Sequence, residues 1–154
     1  MMKFEEHCKR FDWETWTYPP GKIESLKKAN KRIRPDHGVY IIRAQQLLGR
    51  AGGSSNVVYI GQAGGKPKGG KQGIGKGNGC PGRLFNTRGA DKIIRLLIEE
   101  KHACSEFRVE CYFTKPDVDP RHLEMDLINS YVMEFLELPP ANHNRSIPGQ
   151  VIKD

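Results

Sequence analysis

A chain of 154 residues with 37% hydrophobic residues suits one domain with a modest core. Lysine and arginine outnumber aspartate and glutamate by 25 to 18, and the net charge of +7 favours a polyanionic partner. No apolar run reaches the ~18 residues of a membrane span, and the N-terminus lacks the apolar stretch of a secretory signal, so we expect a cytoplasmic protein that does not enter a membrane.

Cysteine usage agrees with that location. The four cysteines are irregularly spaced and form no Cys-x-x-Cys pair, which argues against a disulfide framework and a structural zinc site. The histidines do not cluster with them. Scattered reduced thiols are typical of proteins inside the cell.

Residues 1–36 predict a helical extension ahead of the main domain. Short helices are expected near 3–11 and 21–31, separated by an aromatic segment that ends in Pro-Pro-Gly. Its aromatic side chains are expected to pack the extension onto the core, with base stacking as the alternative.

Three β-branched and aromatic runs predict strands, at residues 38–44, 57–63 and 107–114. The polar, glycine-rich stretch between the first two predicts an antiparallel hairpin with a long loop at 45–56. Helices are predicted at 81–88, at 90–102 and at 119–138.

Together these elements predict an α+β fold. Residues 37–154 form one domain in the order β-β-α-α-β-α, in which helices flank a small mixed or antiparallel three-stranded sheet. Asp119 as N-cap and Pro120 at the first position predict where the last helix begins, and Pro139 is expected to end it.

A glycine–lysine segment at 64–79 matches most of a phosphate-binding loop, but Gly77 stands where magnesium needs serine or threonine. A nucleotide-binding loop is therefore not predicted. From 64 to 88 the chain carries no acidic residue, so we expect its cations to contact a nucleic-acid backbone, with a solvated surface loop as an equally weighted alternative. The expected contacts are Lys66, Lys68, Lys71, Lys76 and Arg88, together with the strand residue Gly61.

One carboxylate of the last predicted helix, Glu124, lies in the middle of its apolar stripe, close in angle to Ile128, Tyr131 and Phe135. A carboxylate on the core side needs a partner. An arginine in a structural ion pair is the commoner partner, and a metal ion is the alternative. One carboxylate can hold magnesium that keeps its waters and leans on a substrate phosphate.

Two tyrosines stand beside glycines in the first two predicted strands. Tyr40 follows Gly38, and Tyr59 precedes Gly61. Taken alone, each tyrosine is expected to be a core residue. The glycines would let a ligand or another backbone come close to the hydroxyl groups.

The tripeptides Gly-Val-Tyr at 38–40 and Tyr-Ile-Gly at 59–61 resemble the two-part signature of the GIY-YIG nucleases. Arg83, Glu124 and Asn142 match, in order, the arginine after the second strand, the glutamate of the last helix and the asparagine after its terminal proline. The resemblance covers residues 38 to about 145.

Some features depart from that pattern. Val39 replaces the usual second residue, and the insertion at 64–79 moves Arg83 later, which leaves Arg88 as a competitor. Thr87 stands where many members carry a histidine or tyrosine.

The resemblance implies a divalent-metal-dependent endonuclease that hydrolyses DNA phosphodiester bonds, of restriction or mobile-element type. It implies that Tyr40 activates or positions water, that Tyr59 and Arg83 bind the phosphate, and that Asn142 shapes the site. It also implies that Glu124 holds Mg²⁺ or Mn²⁺.

Other readings stay open. They are a non-catalytic nucleic-acid-binding module of the same fold, a nuclease for RNA, and a protein-interaction domain whose basic surface is incidental. A homodimer is compatible with the restriction type, and residues 2–34 are candidates for dimerisation or for gripping DNA.

Overall fold

The structure is a computed structural model that describes residues 2–18, 37–63, 107–115 and 117–142. Its elements are α1 (Phe4–Cys8), β1 (Glu14–Tyr18), β2 (Gly38–Arg50), β3 (Gly53–Ala63), β4 (Phe107–Phe113) and α2 (Pro120–Phe135). The predicted helices at 21–31, 81–88 and 90–102 lie outside the described residues.

The described strands form one antiparallel sheet in the order β1-β4-β2-β3. The α+β class is confirmed, but the prediction of three strands is wrong, because the sheet has four. The fourth strand, β1, lies in the segment expected to be helical or irregular. Its sequence, Glu-Thr-Trp-Thr-Tyr, is rich in residues that favour strands, and it pairs with β4 from Tyr18↔Phe107 to Glu14↔Cys111.

The hairpin of β2 and β3 also differs from the prediction. Both strands continue through the expected loop at 45–56 and meet at a turn of two residues, Ala51 and Gly52. The turn is held by α2, because the Gly52 N–H donates to the carbonyl of Phe135 at 2.9 Å. A Cβ at Gly52 would lie 2.5 Å from the Glu134 carbonyl oxygen, so this approach requires glycine.

Helix α2 confirms the predicted start. The Asp119 side chain accepts from the Arg121 N–H at 3.0 Å, and Pro120 begins the helix. The helix ends at Phe135, before the two prolines expected to stop it, and Leu136 takes a left-handed φ of 60°.

The core lies between α2 and one face of the sheet. Along each strand alternate side chains point to this face, which we call the helix face. Residues of α1, β2, β3 and α2 fill it: Phe4, Cys8, Val39, Ile41, Val57, Ile60, Leu127, Ile128, Tyr131 and Phe135. None of the helices within the described ranges is both long and apolar enough to cross a membrane.

The first residues of the chain belong to this same core. Phe4 is fully buried against Tyr131, with ring centroids 5.4 Å apart, and its N–H donates to Glu134 at 2.6 Å. Residues 2–18 therefore contribute both a helix to the core and a strand to the sheet, where the sequence predicted only a helical extension.

Candidate functional site

Tyr40 and Tyr59 form a pair on the sheet. Tyr40 of β2 lies opposite Gly61 of β3, and the two tyrosine rings are 5.8 Å apart with an interplanar angle of 32°. A Cβ at Gly61 would lie 2.6 Å from Cζ and Oη of Tyr40 and 2.6 Å from Cε1 of Tyr59. Gly61 is thus the position over which both rings close, and any side chain there would displace them.

Gly38, the other glycine of the motif, makes room for backbone. A Cβ there would collide with the carbonyl oxygen of Tyr112, which lies in the neighbouring strand β4. Both glycines therefore admit a close approach, but by different groups. Gly38 lets strand β4 come close, and Gly61 lets the tyrosine rings come close.

The tyrosines point away from α2. Their neighbours in sequence, Val39, Ile41 and Ile60, pack in the core on the helix face, so the tyrosines project from the opposite face. Both are buried, with 1% of Tyr40 and 4% of Tyr59 exposed. Since β3 is the outermost strand of the described sheet, the ring of Tyr40 carries its hydroxyl from the interior strand β2 to the sheet edge.

Asn142 fixes the same strand from its outer side. Its Oδ1 accepts from the Ile60 N–H at 2.9 Å, and its Nδ2 donates to the Ile60 carbonyl at 2.7 Å. The Ala141 N–H donates to the Val58 carbonyl at 2.9 Å. Asn142 is 2% exposed, so these bonds are shielded from water. Asn142 therefore holds the backbone between Tyr59 and Gly61.

Within the described residues, Ala141 and Asn142 bond to the outer edge of β3 at Val58 and Ile60. Backbone groups that face the edge alternate along a strand, so the groups of Gln62 face the same way as those of Val58 and Ile60. The Gln62 side chain lies opposite Val39 and hence on the helix face. Within the part of the chain that is described, its Oε1 is buried without a hydrogen-bond partner.

Glu124 is buried on the apolar stripe of α2, as predicted, with 3% of the residue exposed. The buried positions of the helix include Leu127, Ile128, Tyr131 and Phe135, which share its side. By contrast, Asp126 is exposed. Because α2 packs on the helix face, Glu124 and the tyrosines approach β3 from opposite sides of the sheet.

The sequence reading missed two polar features. Gln62 was overlooked because its significance depends on which strand face it occupies. Arg43 is 4% exposed, and its guanidinium binds Glu5 at 2.6 and 3.1 Å, Glu110 at 2.9 Å and Asn56 at 3.0 Å. These bonds raise the pKa of Arg43 against the effect of its burial, so the cation is retained. This cluster joins α1 to the sheet.

A cavity of about 550 Å³ lies beside the Arg43 cluster, away from the tyrosines. Cations and anions balance along its walls, which does not favour a polyanion. The charged residues that line it are Lys9, Arg43, Arg108, Glu5, Glu110 and Glu134. We therefore place the candidate site at the tyrosine pair and not in this cavity.

The predicted cationic part of the site lies outside the described residues. It comprises Arg83, Arg88, Lys66, Lys68, Lys71 and Lys76. What the described ranges bring together is Tyr40, Tyr59 and Gly61, with Asn142 fixed to Ile60 between them.

The described residues offer few side chains that could bind a divalent cation. Among residues 2–18, 37–63, 107–115 and 117–142, no three histidine, cysteine or acidic side chains form a group that could hold a metal. Glu124 supplies one buried carboxylate, and Gln62 supplies one buried carbonyl oxygen that is unpaired within those ranges. Such a sparse oxygen set suits Mg²⁺, which keeps several waters and needs few protein ligands.

A scan against protein-family models gave no match for this chain, and searches of the curated proteins and of the solved structures gave none either. The resemblance of its motifs to the GIY-YIG nucleases therefore stays a prediction from sequence.

Proposed function

We propose that the protein is a divalent-metal-dependent endonuclease that hydrolyses DNA phosphodiester bonds at the edge of β3. One observation carries the proposal: Tyr40 and Tyr59 close over Gly61, next to the backbone that Asn142 holds at Ile60. Here the glycine permits a pair of hydroxyl-bearing rings at a strand edge.

The proposed direction of approach follows from the elements that hold Tyr40 and Glu124. Tyr40 itself is 1% exposed, so its ring is covered. The Tyr40 hydroxyl lies over Gly61 on the outermost described strand, while Glu124 belongs to a helix on the other face. We therefore propose that the phosphate lies at the edge of β3, near the backbone that Asn142 holds at Ile60.

The proposed roles follow from the chemistry of each group. Tyr40 positions the attacking water, and Tyr59 donates a hydrogen bond to a phosphate oxygen. The Glu124 carboxylate would hold Mg²⁺ or Mn²⁺, which supplies charge neutralisation for the leaving oxygen. Asn142 keeps the strand in register through Ile60 and takes no part in proton transfer.

The positive charge that a phosphate needs is assigned to the segment between β3 and β4. Arg83 is proposed to bind a non-bridging oxygen, and Arg88 is its competitor. The loop lysines at 66, 68, 71 and 76 are proposed to contact the DNA backbone. Substituting each arginine separately by alanine identifies the one at the phosphate, because only that variant loses cleavage while DNA binding weakens little.

The proposal is tested with a pair of variants on one helix. Glu124→Ala removes the buried carboxylate, and Asp126→Ala removes an exposed one two residues away. We expect Glu124→Ala to lose magnesium-dependent cleavage of plasmid DNA and to keep DNA binding, and Asp126→Ala to cleave like the wild type.

Circular dichroism on both variants confirms that each is folded before cleavage is compared. Normal cleavage by a folded Glu124→Ala protein would contradict the metal assignment. Parallel reactions with RNA of the same sequence separate a DNA nuclease from an RNA nuclease.

A further inference from the structure

The side chain of Gln62 has a polar atom that nothing in the described structure satisfies. The residue is 8% exposed, and its Oε1 is buried with no hydrogen-bond partner among the described residues. Buried amide oxygens are nearly always bonded to a donor, to water or to a cation. Gln62 therefore marks a place where a ligand is expected.

Strand and helix directions place Gln62 and Glu124 at the same end of the core. The Gly52–Phe135 hydrogen bond joins the start of β3 to the end of α2, so the two elements run in opposite directions. Ile60 packs in one cluster with Leu127 and Ile128.

Gln62 and Glu124 both lie beyond this cluster, toward the end of β3 and the start of α2. Gln62 is two residues on from Ile60 along β3, about 6.6 Å. Glu124 is one helical turn before Ile128 along α2, about 6 Å. Both side chains belong to the helix face, and both are more than nine-tenths buried.

We propose that Gln62 Oε1 is a second protein ligand, beside the Glu124 carboxylate, of the hydrated divalent cation that the proposed function requires. A neutral carbonyl oxygen and one carboxylate are the kind of ligands that Mg²⁺ and Mn²⁺ accept, with water and substrate phosphate in the other positions. Gln62 follows Gly61 on β3, so a cation held by the Gln62 side chain would lie on the helix face of the strand whose other face carries the tyrosine pair.

The inference rests on the proposed function for its cation, but its test needs no cleavage. Mn²⁺ binding to the full chain is measured without DNA, from the loss of the electron paramagnetic resonance signal of free Mn²⁺. We expect Gln62→Leu, which keeps the volume and removes the oxygen, to weaken Mn²⁺ binding about tenfold or more. Gln45→Leu on the exposed part of β2 is the matched control and should bind like the wild type.

A second variant guards against misfolding. Gln62→Glu places a second carboxylate near Glu124, so its melting temperature should fall without metal and recover when Mn²⁺ is added. Gln62→Leu removes an unsatisfied oxygen, so its melting temperature without metal should equal or exceed that of the wild type.

The outcomes separate the two proposals. Equal Mn²⁺ affinity in wild type and Gln62→Leu, or no Mn²⁺ binding by the wild type, would overturn the ligand assignment. Mn²⁺ binding that needs both Gln62 and Glu124 in a protein that cuts no DNA would support the cation site and refute the nuclease.

Discussion

The side-chain amide of Asn142 brackets the backbone of Ile60, accepting from its N–H at 2.9 Å and donating to its carbonyl at 2.7 Å. A side chain thereby completes two ladder bonds that an additional strand would otherwise make. The bracket lies one residue from both Tyr59 and Gly61, so it sets the position of the candidate site from outside the sheet.

Asn142→Asp tests the bracket with a side chain of the same shape. The carboxylate can still accept from the Ile60 N–H, but it cannot donate to the Ile60 carbonyl and repels it. We expect a loss of about 1–3 kcal/mol in the free energy of unfolding, measured by urea denaturation. Asn129→Asp, at a half-buried position in α2, is the control and should lower the free energy of unfolding less. Equal effects of the two substitutions would contradict the bracket.

Gly61→Ala tests the contact beneath the tyrosine rings. The new methyl group would lie 2.6 Å from atoms of both Tyr40 and Tyr59, so the rings must move. We expect an overpacking cost of about 1–3 kcal/mol and a changed near-ultraviolet circular dichroism signal. Gly49→Ala has no atom within 4 Å of its added carbon and should leave both measurements unchanged. If Gly61→Ala also left the stability and the near-ultraviolet signal unchanged, the placement of the two rings would be wrong.

Arg43→Ala tests the buried cluster that joins α1 to the sheet. Removing the guanidinium leaves Glu5 and Glu110 without their shared cation, which we expect to cost about 1–3 kcal/mol in urea unfolding. Arg108→Ala removes a largely exposed partner of the same Glu110 and should cost at most ~1 kcal/mol. A small effect at Arg43 would mean that α1 is held mainly by its apolar contacts and by the Phe4–Glu134 hydrogen bond.

Cys8 predicts an alkaline dependence of stability. Burial raises the pKa of its thiol from 9.0 to about 12, despite the opposing effect of the neighbouring Arg43. The folded state thus favours the neutral thiol, so its stabilising contribution is complete below pH 9 and is lost as the pH rises from about 9 to about 12.

The burial and the raised pKa of the Cys8 thiol are tested by alkylation with iodoacetamide at pH 9, followed by peptide mapping. The Cys8 peptide should stay unlabelled in the folded chain and become labelled in urea, because the thiolate is the reactive form. Rapid labelling of Cys8 without denaturant would contradict its burial and its raised pKa.

Local patterns were sufficient to predict α2 and its buried acid. The N-cap at Asp119 and the position of Glu124 on the apolar stripe depend only on residues a few positions apart in sequence. The motif strands were placed for the same reason, although their outer ends and two-residue turn depend on contacts with the distant end of α2.

Contacts between residues far apart in the chain could not be predicted from the sequence. Strand β1 forms through pairing with β4, almost a hundred residues later in the chain, and Arg43 gathers partners from three separate elements. The importance of Gln62 emerges only when the faces of β3 are known. The tyrosine pair was predicted only in part. The sequence motif identified Tyr40, Tyr59 and Gly61, but it did not predict that the two rings pack over Gly61.

The most direct test of the account is the fate of supercoiled plasmid DNA incubated with the purified full chain. In the presence of Mg²⁺ we predict conversion to nicked and linear forms, and in the presence of excess EDTA no conversion. Plasmid that stays supercoiled with Mg²⁺ and with Mn²⁺, under conditions where the protein binds it, would contradict the proposal of a metal-dependent nuclease.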